Sequence, residues 1–346
     1  MKPQSLVALL AAMTATQSAQ AGKPYEDESC LGCHSDSSLE TSLQSGDSLP
    51  LFVDEQSFAG SVHGAKLKCS DCHQDEVADP HPTKSFKDKR HVALVFSEKC
   101  KRCHFKNYTD TLDGVHMKLI QKGNTQAALC VDCHGAHDIA RPGEPRSRIS
   151  QTCAKCHKPV FEVYAQSVHG KALIETENRD VPVCTDCHKA HDIKDPRGRD
   201  WLLATPELCG TCHTNEKLMA KYGLSSNVLS TYLTDFHGVA STLQRSGGDH
   251  KLAAVCTDCH GVHEIKSTRG EASVAMKQNL VNVCKKCHPD ATADFPAAWM
   301  SHYEPSLQKT PIIYAVRLFY LFMIPFTIGG LVLQILLHLW RVVVNR

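Results

Sequence analysis

All cysteines of this 346-residue chain lie in one short pattern, Cys-x-x-Cys-His, which occurs nine times. Two thiols three residues apart, with an imidazole directly after them, come together on one face of a helical turn. This is the attachment signature of c-type haem, in which the thiols bond to the porphyrin and the histidine binds the iron. The nine pentads are Cys30, Cys33 and His34; Cys69, Cys72 and His73; Cys100, Cys103 and His104; Cys130, Cys133 and His134; Cys153, Cys156 and His157; Cys184, Cys187 and His188; Cys209, Cys212 and His213; Cys256, Cys259 and His260; and Cys284, Cys287 and His288.

Other cysteine chemistries leave part of this pattern unexplained. A zinc ribbon needs paired cysteines but no histidine directly after every pair. A disulfide framework accounts for the even number of cysteines, but not for their fixed spacing. Iron–sulfur clusters leave the nine histidines without a role. The sequence therefore predicts nine covalently bound c-type haems, each with a proximal histidine from its own pentad.

A second set of histidines recurs in phase with the pentads. Three pentads continue as Cys-x-Asp-Cys-His-x-x-His, followed by Asp or Glu and then Ile, and a plainer pentad begins 23 to 28 residues after each of them. The plainer pentads are followed by a further histidine, in phrases such as Ser-Val-His-Gly. The chain therefore consists of about four and a half copies of a two-haem unit. The nine histidines in this second set are His63, His81, His116, His137, His169, His191, His237, His263 and His302.

These nine histidines are candidates for the sixth ligand of nine irons, which predicts that every haem is bis-histidine and low-spin. In the pentad of His73 the repeated histidine position is Glu76, and His81 is the expected substitute, with His91 as the alternative in the same stretch. The pattern does not assign each histidine to an iron, although the second histidine of such units often serves a neighbouring haem. Two axial imidazoles leave no open position on iron, which favours electron transfer over substrate binding.

The N-terminus has the pattern of a secretory signal peptide over residues 1–21. Lys2 precedes an apolar run from Leu6 to Ala15, and small residues end the segment at Ala21. The apolar run is shorter than a membrane anchor requires. We expect a bacterial exported protein, which agrees with haem attachment outside the cytoplasm.

The C-terminus has the pattern of a transmembrane helix. The stretch from Leu318 to Leu337 carries no charged side chain and has the length that spans a bilayer. Tyr314 and Tyr320 near one end and Trp340 near the other are typical of the membrane interfaces. Together with the signal peptide, this span predicts an inner-membrane protein whose haem domain lies in the periplasm and whose C-terminus is cytoplasmic.

Composition bounds the remaining possibilities. The 38 Lys and Arg residues balance 37 Asp and Glu residues, which argues against nucleic acid as a partner. Aromatic residues make up only 6% of the chain, so we expect porphyrins to supply much of the apolar interior. The predicted fold is a multihaem cytochrome c, with short α-helices and irregular loops around stacked haems and little sheet. The predicted regions are a signal peptide at 1–21, a nine-haem domain at 22–305, and at 306–346 a linker, a membrane helix (about 312–340) and a short tail.

The doubled pentads and the Ser-Val-His-Gly phrase resemble those of the low-potential multihaem c-type cytochromes of anaerobic respiratory chains. The resemblance covers roughly residues 26–305. It implies electron transfer from the quinone pool, through a membrane cytochrome b or another quinol-oxidising subunit, to periplasmic or outer-membrane cytochromes. The segment from Tyr314 to Arg346 is similar to the first helix of such a membrane subunit but ends after one span. Members with an N-terminal anchor differ, because their anchor precedes the haems.

Two rival functions and the role of one residue stay open on the sequence alone. A multihaem reductase of a small oxyanion, such as nitrite or a sulfur species, would need one open haem, and no pentad varies as Cys-x-x-Cys-Lys. A structural or storage role is the third class. His338 lies inside the predicted span, where it would either ligate a b-type haem shared with a partner helix or lie at the interface beside Trp340 and Arg341.

Overall fold

A computed structural model describes residues 25–77, 81–82, 84–245, 253–267, 279–298, 302, 305–308 and 310–345. The predicted signal peptide at 1–21 lies outside these residues. The α-helices are Tyr25–His34, Glu55–Gly60, Cys69–Cys72, Lys89–Ser97, Phe105–Leu112, Val115–Gln121, Cys130–His134, Ser147–Ala154, Lys158–Ala165, Val168–Thr176, Cys184–His188, Arg199–His213, Glu216–Lys221, Val228–Leu233, Phe236–Arg245, Cys256–His260, 279–285, Phe295–Ala298 and Pro311–Val344. Two short 3₁₀ helices are Gln74–Glu76 and Glu98–Arg102.

Sheet structure in the described part of the chain is one small hairpin. Strands Glu40–Ser42 and Ser48–Pro50 pair antiparallel, with Thr41 opposite Leu49. The turn between them includes Gly46 at a φ of 87°, a backbone conformation that favours glycine. Short helices joined by loops, with very little sheet, confirm the predicted fold class.

The chain divides into two compact units. The first comprises Met1–Glu162 and Ala172–Asp195, and the second comprises Val163–Lys171 and Pro196–Arg346. The first six pentads belong to the first unit and the last three to the second. The boundaries predicted from sequence, 22–305 and 306–346, stay predictions.

Buried apolar side chains are sparse among the described residues. Several of them lie directly before a pentad: Leu129, Val183 and Val255 are 8%, 2% and 4% exposed. Each is the residue before the first cysteine of a Cys-x-Asp-Cys-His unit, so the start of the helical turn is anchored in the interior. Such a distribution places the protein's own apolar packing around the pentads rather than in one large core.

Lys189 occupies a backbone conformation that glycine takes elsewhere in the repeat. Its φ is 66°, whereas Gly135 and Gly261, at the same position after their own pentads, have a φ of 78°. The left-handed backbone conformation at a helix C-terminus costs less free energy for glycine than for other residues, because glycine has no Cβ. We expect Lys189→Gly to stabilise the protein by about 0.5–1 kcal/mol, measured as a higher denaturant midpoint. The reverse change, Gly135→Lys, should lower the midpoint, and equal midpoints for all three proteins would contradict this explanation.

Tyr232 is a buried polar anchor in the second unit. Its hydroxyl lies 3.0 Å from the Ala254 carbonyl oxygen and 3.1 Å from Ser241 Oγ. Burial, the largest cause, raises the pKa of Tyr232 from 10.0 to about 12. The folded state therefore favours the neutral phenol, and its stabilising contribution is complete below pH 10 and is lost as the pH rises towards about 12. We expect Tyr232→Phe to cost about 1 kcal/mol at neutral pH, and the gap in denaturant midpoint to narrow between pH 10 and 12. A gap that stays constant over this range would contradict the assignment.

The helix Pro311–Val344 has the length and composition of a membrane span. It contains 34 residues, and its most apolar stretch of 18 residues has a mean hydropathy of 2.0. None of the side chains in that stretch is buried. At 1.5 Å per residue it is longer than the hydrocarbon core of a bilayer, which is about 30 Å thick. The helix contains the predicted span, about 312–340.

Candidate haem sites

Each pentad closes one helical turn. The pentads of His34, His134, His188, His213 and His260 lie entirely within α-helices. In the pentads of His73, His104, His157 and His288, the backbone N–H of the histidine donates to the carbonyl of the first cysteine at 2.8–2.9 Å. A turn of this kind presents both sulfurs and the imidazole together, as thioether attachment and iron ligation require. Each haem site takes its name from the proximal histidine of its pentad.

The aspartate in Cys-x-Asp-Cys-His fixes the start of the turn. Asp132 Oδ2 accepts the backbone N–H of Leu129 at 2.7 Å, and Asp186 Oδ2 accepts that of Val183 at 2.7 Å. The same bond joins Asp258 to Val255 at 2.7 Å and Asp71 to Lys68 at 2.8 Å. Since the first N–H groups of a helix have no partner inside it, this aspartate satisfies one of them.

Arginines from the preceding part of the repeat hold two of these aspartates. Arg90 Nη1 donates to Asp132 Oδ2 at 2.7 Å, and its other nitrogens donate to backbone carbonyls of the loop before the pentad. Arg146 likewise donates to Asp186 and to the carbonyl of Arg179. The sequence interpretation missed these arginines, although they recur in phase with the repeat.

A turn made by Ser or Asp, followed by Gly, positions three histidines of the second set. Ser61 Oγ and Ser167 Oγ accept the N–H of the glycine three residues later at 3.0 Å, and Asp235 Oδ1 does the same at 3.0 Å. A Cβ at these glycines would collide with a backbone carbonyl oxygen. Glycine is therefore required there by close backbone approach. The histidines are His63, His169 and His237; the glycines are Gly64, Gly170 and Gly238; and the carbonyls belong to Phe58, Tyr164 and Tyr232.

The two recurring phrases of the repeat bind each other through the backbone. Val62 N–H donates to the Ile139 carbonyl at 2.8 Å, and Val115 N–H donates to that of Ile193 at 2.7 Å. Each valine directly precedes a histidine of the second set. Each isoleucine lies two residues after a different histidine of that set. Val168 and Ile265 form the same bond at 2.9 Å. This bond brings together histidines from different pentads.

Eight proximal histidines each face one histidine of the second set. The ring centroids lie 6.0–6.3 Å apart in every pair. The pairs are His34 with His81, His104 with His63, His73 with His137, His157 with His116, His134 with His191, His213 with His169, His288 with His237, and His260 with His302.

This separation fits one iron between two imidazoles. A metal lies about 2 Å from an imidazole nitrogen, so two rings on opposite sides of it have centroids about 6 Å apart. At His34 the ring is also oriented by the protein, because Nδ1 lies 2.7 Å from the Leu51 carbonyl oxygen. With Nδ1 donating to that carbonyl, Nε2 is the nitrogen left for iron. The residues present therefore fit a bis-histidine haem at these eight positions.

His188 and His263 lie in different units. His188 ends the helix Cys184–His188 of the first unit. His263 lies in the second unit, where its backbone N–H donates to Glu264 Oε2 at 3.1 Å. Their roles as proximal and distal ligands stay predictions.

The pairs follow a register along the chain. Histidines of the His-x-x-His phrase face the proximal histidine two pentads upstream, as His137 faces His73 and His191 faces His134. Histidines after the plainer pentads face the proximal histidine two pentads downstream, as His116 faces His157. Six of the eight pairs follow this register, and in these six no histidine faces the proximal histidine of its own or the preceding pentad.

The chain ends depart from this register. In the second pentad, Glu76 occupies the position of the second histidine of the His-x-x-His phrase. A histidine there would have to face a pentad two upstream, and the first pentad is only one upstream. His81 instead faces His34, at a centroid separation of 6.1 Å. His91, the alternative, has a ring nitrogen that accepts the Lys87 backbone N–H at 3.1 Å. The geometry therefore favours His81 over His91.

Burial lowers the pKa of several of the paired histidines. It is the largest cause lowering the pKa of His73, His116 and His260. It also lowers the pKa of His169 to about 4, with His213 contributing. Iron binds the neutral imidazole, so a depressed pKa suits a ligand.

In three pairs of consecutive pentads, the first cysteines lie within hydrogen-bonding distance of each other. The thiols here stand in for the thioether sulfurs of the haem-bound protein. A hydrogen bond between the Cys100 and Cys130 thiols raises the pKa of Cys100 and lowers that of Cys130 to about 7. The same contact joins Cys153 to Cys184, and Cys209 to Cys256. Haems attached to the two cysteines of such a pair would have neighbouring attachment points.

Comparisons with known proteins agree with this chemistry over part of the chain. Residues 124–214 match the cytochrome c3 family, and this segment holds the pentads of His134, His157, His188 and His213. The cytochrome c-type protein NrfB of Escherichia coli O6:H1 is 23% identical over an alignment of 139 residues, and the match covers 37% of this chain and 70% of that protein. No solved structure matches the chain. The chain therefore contains a cytochrome c3-like segment, which supports covalently bound c-type haem.

Proposed function

We propose that this chain is a membrane-anchored nine-haem c-type cytochrome that transfers electrons in an anaerobic respiratory chain. The observation that carries the proposal is the set of eight histidine pairs with centroids 6.0–6.3 Å apart. Haem bound at these sites supplies one-electron redox chemistry. The nine pentads attach it, and the nine histidines of the second set are the distal ligands.

In each of the eight pairs, the two imidazoles would hold one iron between them and leave it no position open to substrate. An oxyanion reductase needs one iron position open to substrate, with donors around it. Pairing on both faces removes that position and holds each ring at a fixed separation. The geometry thus favours an electron carrier over the reductase.

Contacts between neighbouring pentads support transfer along the chain. The attachment cysteines of the third and fourth, fifth and sixth, and seventh and eighth pentads touch. Burial, the largest cause, raises the pKa of Cys72, and Asp71 and then Cys103 of the next pentad raise it further. Within each of these three pairs of pentads the attachment points are therefore close, as electron transfer between the two sites requires.

The cellular setting follows from the chain ends and the resemblance. The helix Pro311–Val344 anchors the chain in the bacterial inner membrane, with the haem domain in the periplasm and the C-terminus in the cytoplasm. A membrane cytochrome b or another quinol-oxidising subunit is the electron donor. Periplasmic or outer-membrane cytochromes are the acceptors. The similarity to NrfB, a cytochrome c-type protein, supports the class of function.

Purification from membranes in mild detergent tests this proposal. We expect a cytochrome b or another quinol-oxidising subunit to co-purify, and the haems of the complex to be reduced by added quinol. A chain that is recovered alone from intact membranes, and is not reduced by quinol in those membranes, would contradict the donor. Carbon monoxide binding to the untreated reduced protein would instead support the reductase.

A further inference from the structure

His302 is a ligand candidate outside the register of the repeat. It follows the last pentad, yet its ring faces His260 of the eighth pentad, with centroids 6.0 Å apart and ring planes 22° from parallel. The last histidine before the membrane helix is thus fixed against one particular site.

The chain from His302 to the membrane helix is short. Ser306 N–H donates to Thr310 Oγ1 at 3.2 Å, and Thr310 N–H donates to the Ser306 carbonyl at 2.9 Å. Tyr314 N–H in turn donates to the Thr310 carbonyl at 2.9 Å. Ser306 is therefore part of a turn that leads directly into the helix. Only four residue steps separate His302 from Ser306, and four residues reach at most about 14 Å when fully extended.

The helix enters the apolar region soon afterwards. Its uncharged stretch begins at Leu318, seven residues after Pro311, and seven residues of helix rise by about 10 Å. The combined reach from the His302 Cα to the start of the hydrocarbon layer is on the order of 30 Å. The covalent chain alone therefore holds the His260 site near the membrane surface.

We propose that the His260 site, closed by His302, is the port through which this protein exchanges electrons with its membrane-embedded partner. This inference rests on the proposed function and names the site at which the quinol-oxidising subunit acts. The Phe295 ring lies 5.2 Å from the ring of His288, so the last pentad packs against the short helix Phe295–Ala298 that precedes His302.

A spacer in the linker tests the port directly. One variant receives twelve Gly and Ser residues between residues 304 and 305, and the matched control receives the same insertion in the hairpin turn, between Ser45 and Gly46. Both full-length proteins are reconstituted in phosphatidylcholine vesicles that contain a lipid with a nitroxide on its headgroup. We expect oxidised wild type and the hairpin control to speed the relaxation of the nitroxide, and the linker variant to lose this effect. Equal relaxation in all three proteins, or no effect of wild type, would overturn the proximity.

Quinol-driven reduction in membranes that contain the native partners provides the second readout. We expect wild type and the hairpin control to be reduced, and the linker variant to lose quinol-driven reduction while dithionite still reduces all its haems. Undiminished reduction of the linker variant would overturn the port. A third outcome separates the two proposals: quinol reduces none of the three proteins, and only the linker variant loses the effect on nitroxide relaxation. This result would contradict the proposed quinol-oxidising donor and would still support a His260 site close to the membrane.

His302→Met tests the ligand itself. We expect one bis-histidine signal in the EPR spectrum to be replaced, and the midpoint potential of one haem to rise, because a methionine ligand raises the potential. The matched change His91→Met should leave the spectrum unaltered. An unaltered spectrum for His302→Met would overturn the role of His302.

Discussion

His191→Gly is expected to open the iron of the His134 site, leaving the iron of its own pentad, at His188, ligated. The reason is the pairing: the ring centroids of His134 and His191 lie 6.2 Å apart, and those two residues belong to different pentads. Removal of the imidazole leaves one iron with a single protein ligand. The reduced variant should then bind one carbon monoxide per molecule, and the oxidised variant should gain one high-spin signal.

The control for this change is His91→Gly, which removes a histidine whose ring accepts a backbone N–H instead. It should bind no carbon monoxide. Assignment of the opened site requires a second variant, His134→Met with His191→Gly, in which the opened haem should change its spectrum. If the spectrum of the carbon monoxide complex is unaltered by His134→Met, the opened iron is not the one bound by His134 and the register is wrong.

Gly170→Ala is expected to destabilise the second unit strongly and to disturb the His213 site. A Cβ at Gly170 would overlap the backbone carbonyl oxygen of Tyr164, and neither group has a flexible end that moves aside. Forced overlap in a packed interior costs about 1–3 kcal/mol or more, and backbone atoms relax less than side chains. Because His169 precedes this glycine and faces His213, the shift should also weaken the sixth ligand of that iron.

Denaturant unfolding and carbon monoxide binding measure the two effects of Gly170→Ala. The matched control is Gly60→Ala, since no atom lies within 4 Å of the added Cβ and the backbone there is not left-handed. That control should change the free energy of unfolding by less than about 1 kcal/mol. Similar midpoints for both alanine variants would refute the requirement for glycine by close backbone approach.

The chemistry of the sites was predictable from sequence because covalent attachment leaves a fixed spacing. Cys130, Cys133 and His134 must lie on one helical turn for the thiols and the imidazole to reach the same porphyrin. The predominance of short helices also followed, since each attachment turn is helical and few aromatic residues are available for a core. The C-terminal helix followed from the uncharged stretch between Leu318 and Leu337.

The pairing of ligands was not predictable, since it depends on contacts far apart in sequence. Nothing near His63 indicates that it faces His104, two pentads downstream. The backbone bond from Val62 to Ile139 helps to bring these segments together, and backbone groups leave no trace in the residue types. The choice between His81 and His91 likewise depended on the turn at Lys87, whose backbone N–H donates to a ring nitrogen of His91.

The roles of the second-set glycines and of Arg90 were also invisible in the repeat pattern alone. The phrase Ser-Val-His-Gly marks the repeat, but the collision that enforces its glycine appears only once the Phe58 carbonyl is in place. Arg90 lies 42 residues from Asp132, too far for local reasoning to join them. Long-range polar contacts of this kind decide how neighbouring repeats fit together.

The spin state and haem content of the full-length protein decide whether it is a fully ligated nine-haem electron carrier. Pyridine haemochrome analysis should give nine covalent haems per polypeptide, and EPR of the oxidised protein should show only low-spin bis-histidine signals. The reduced protein should bind no carbon monoxide. A haem count below nine, or a high-spin haem that binds carbon monoxide after reduction, would contradict this assignment.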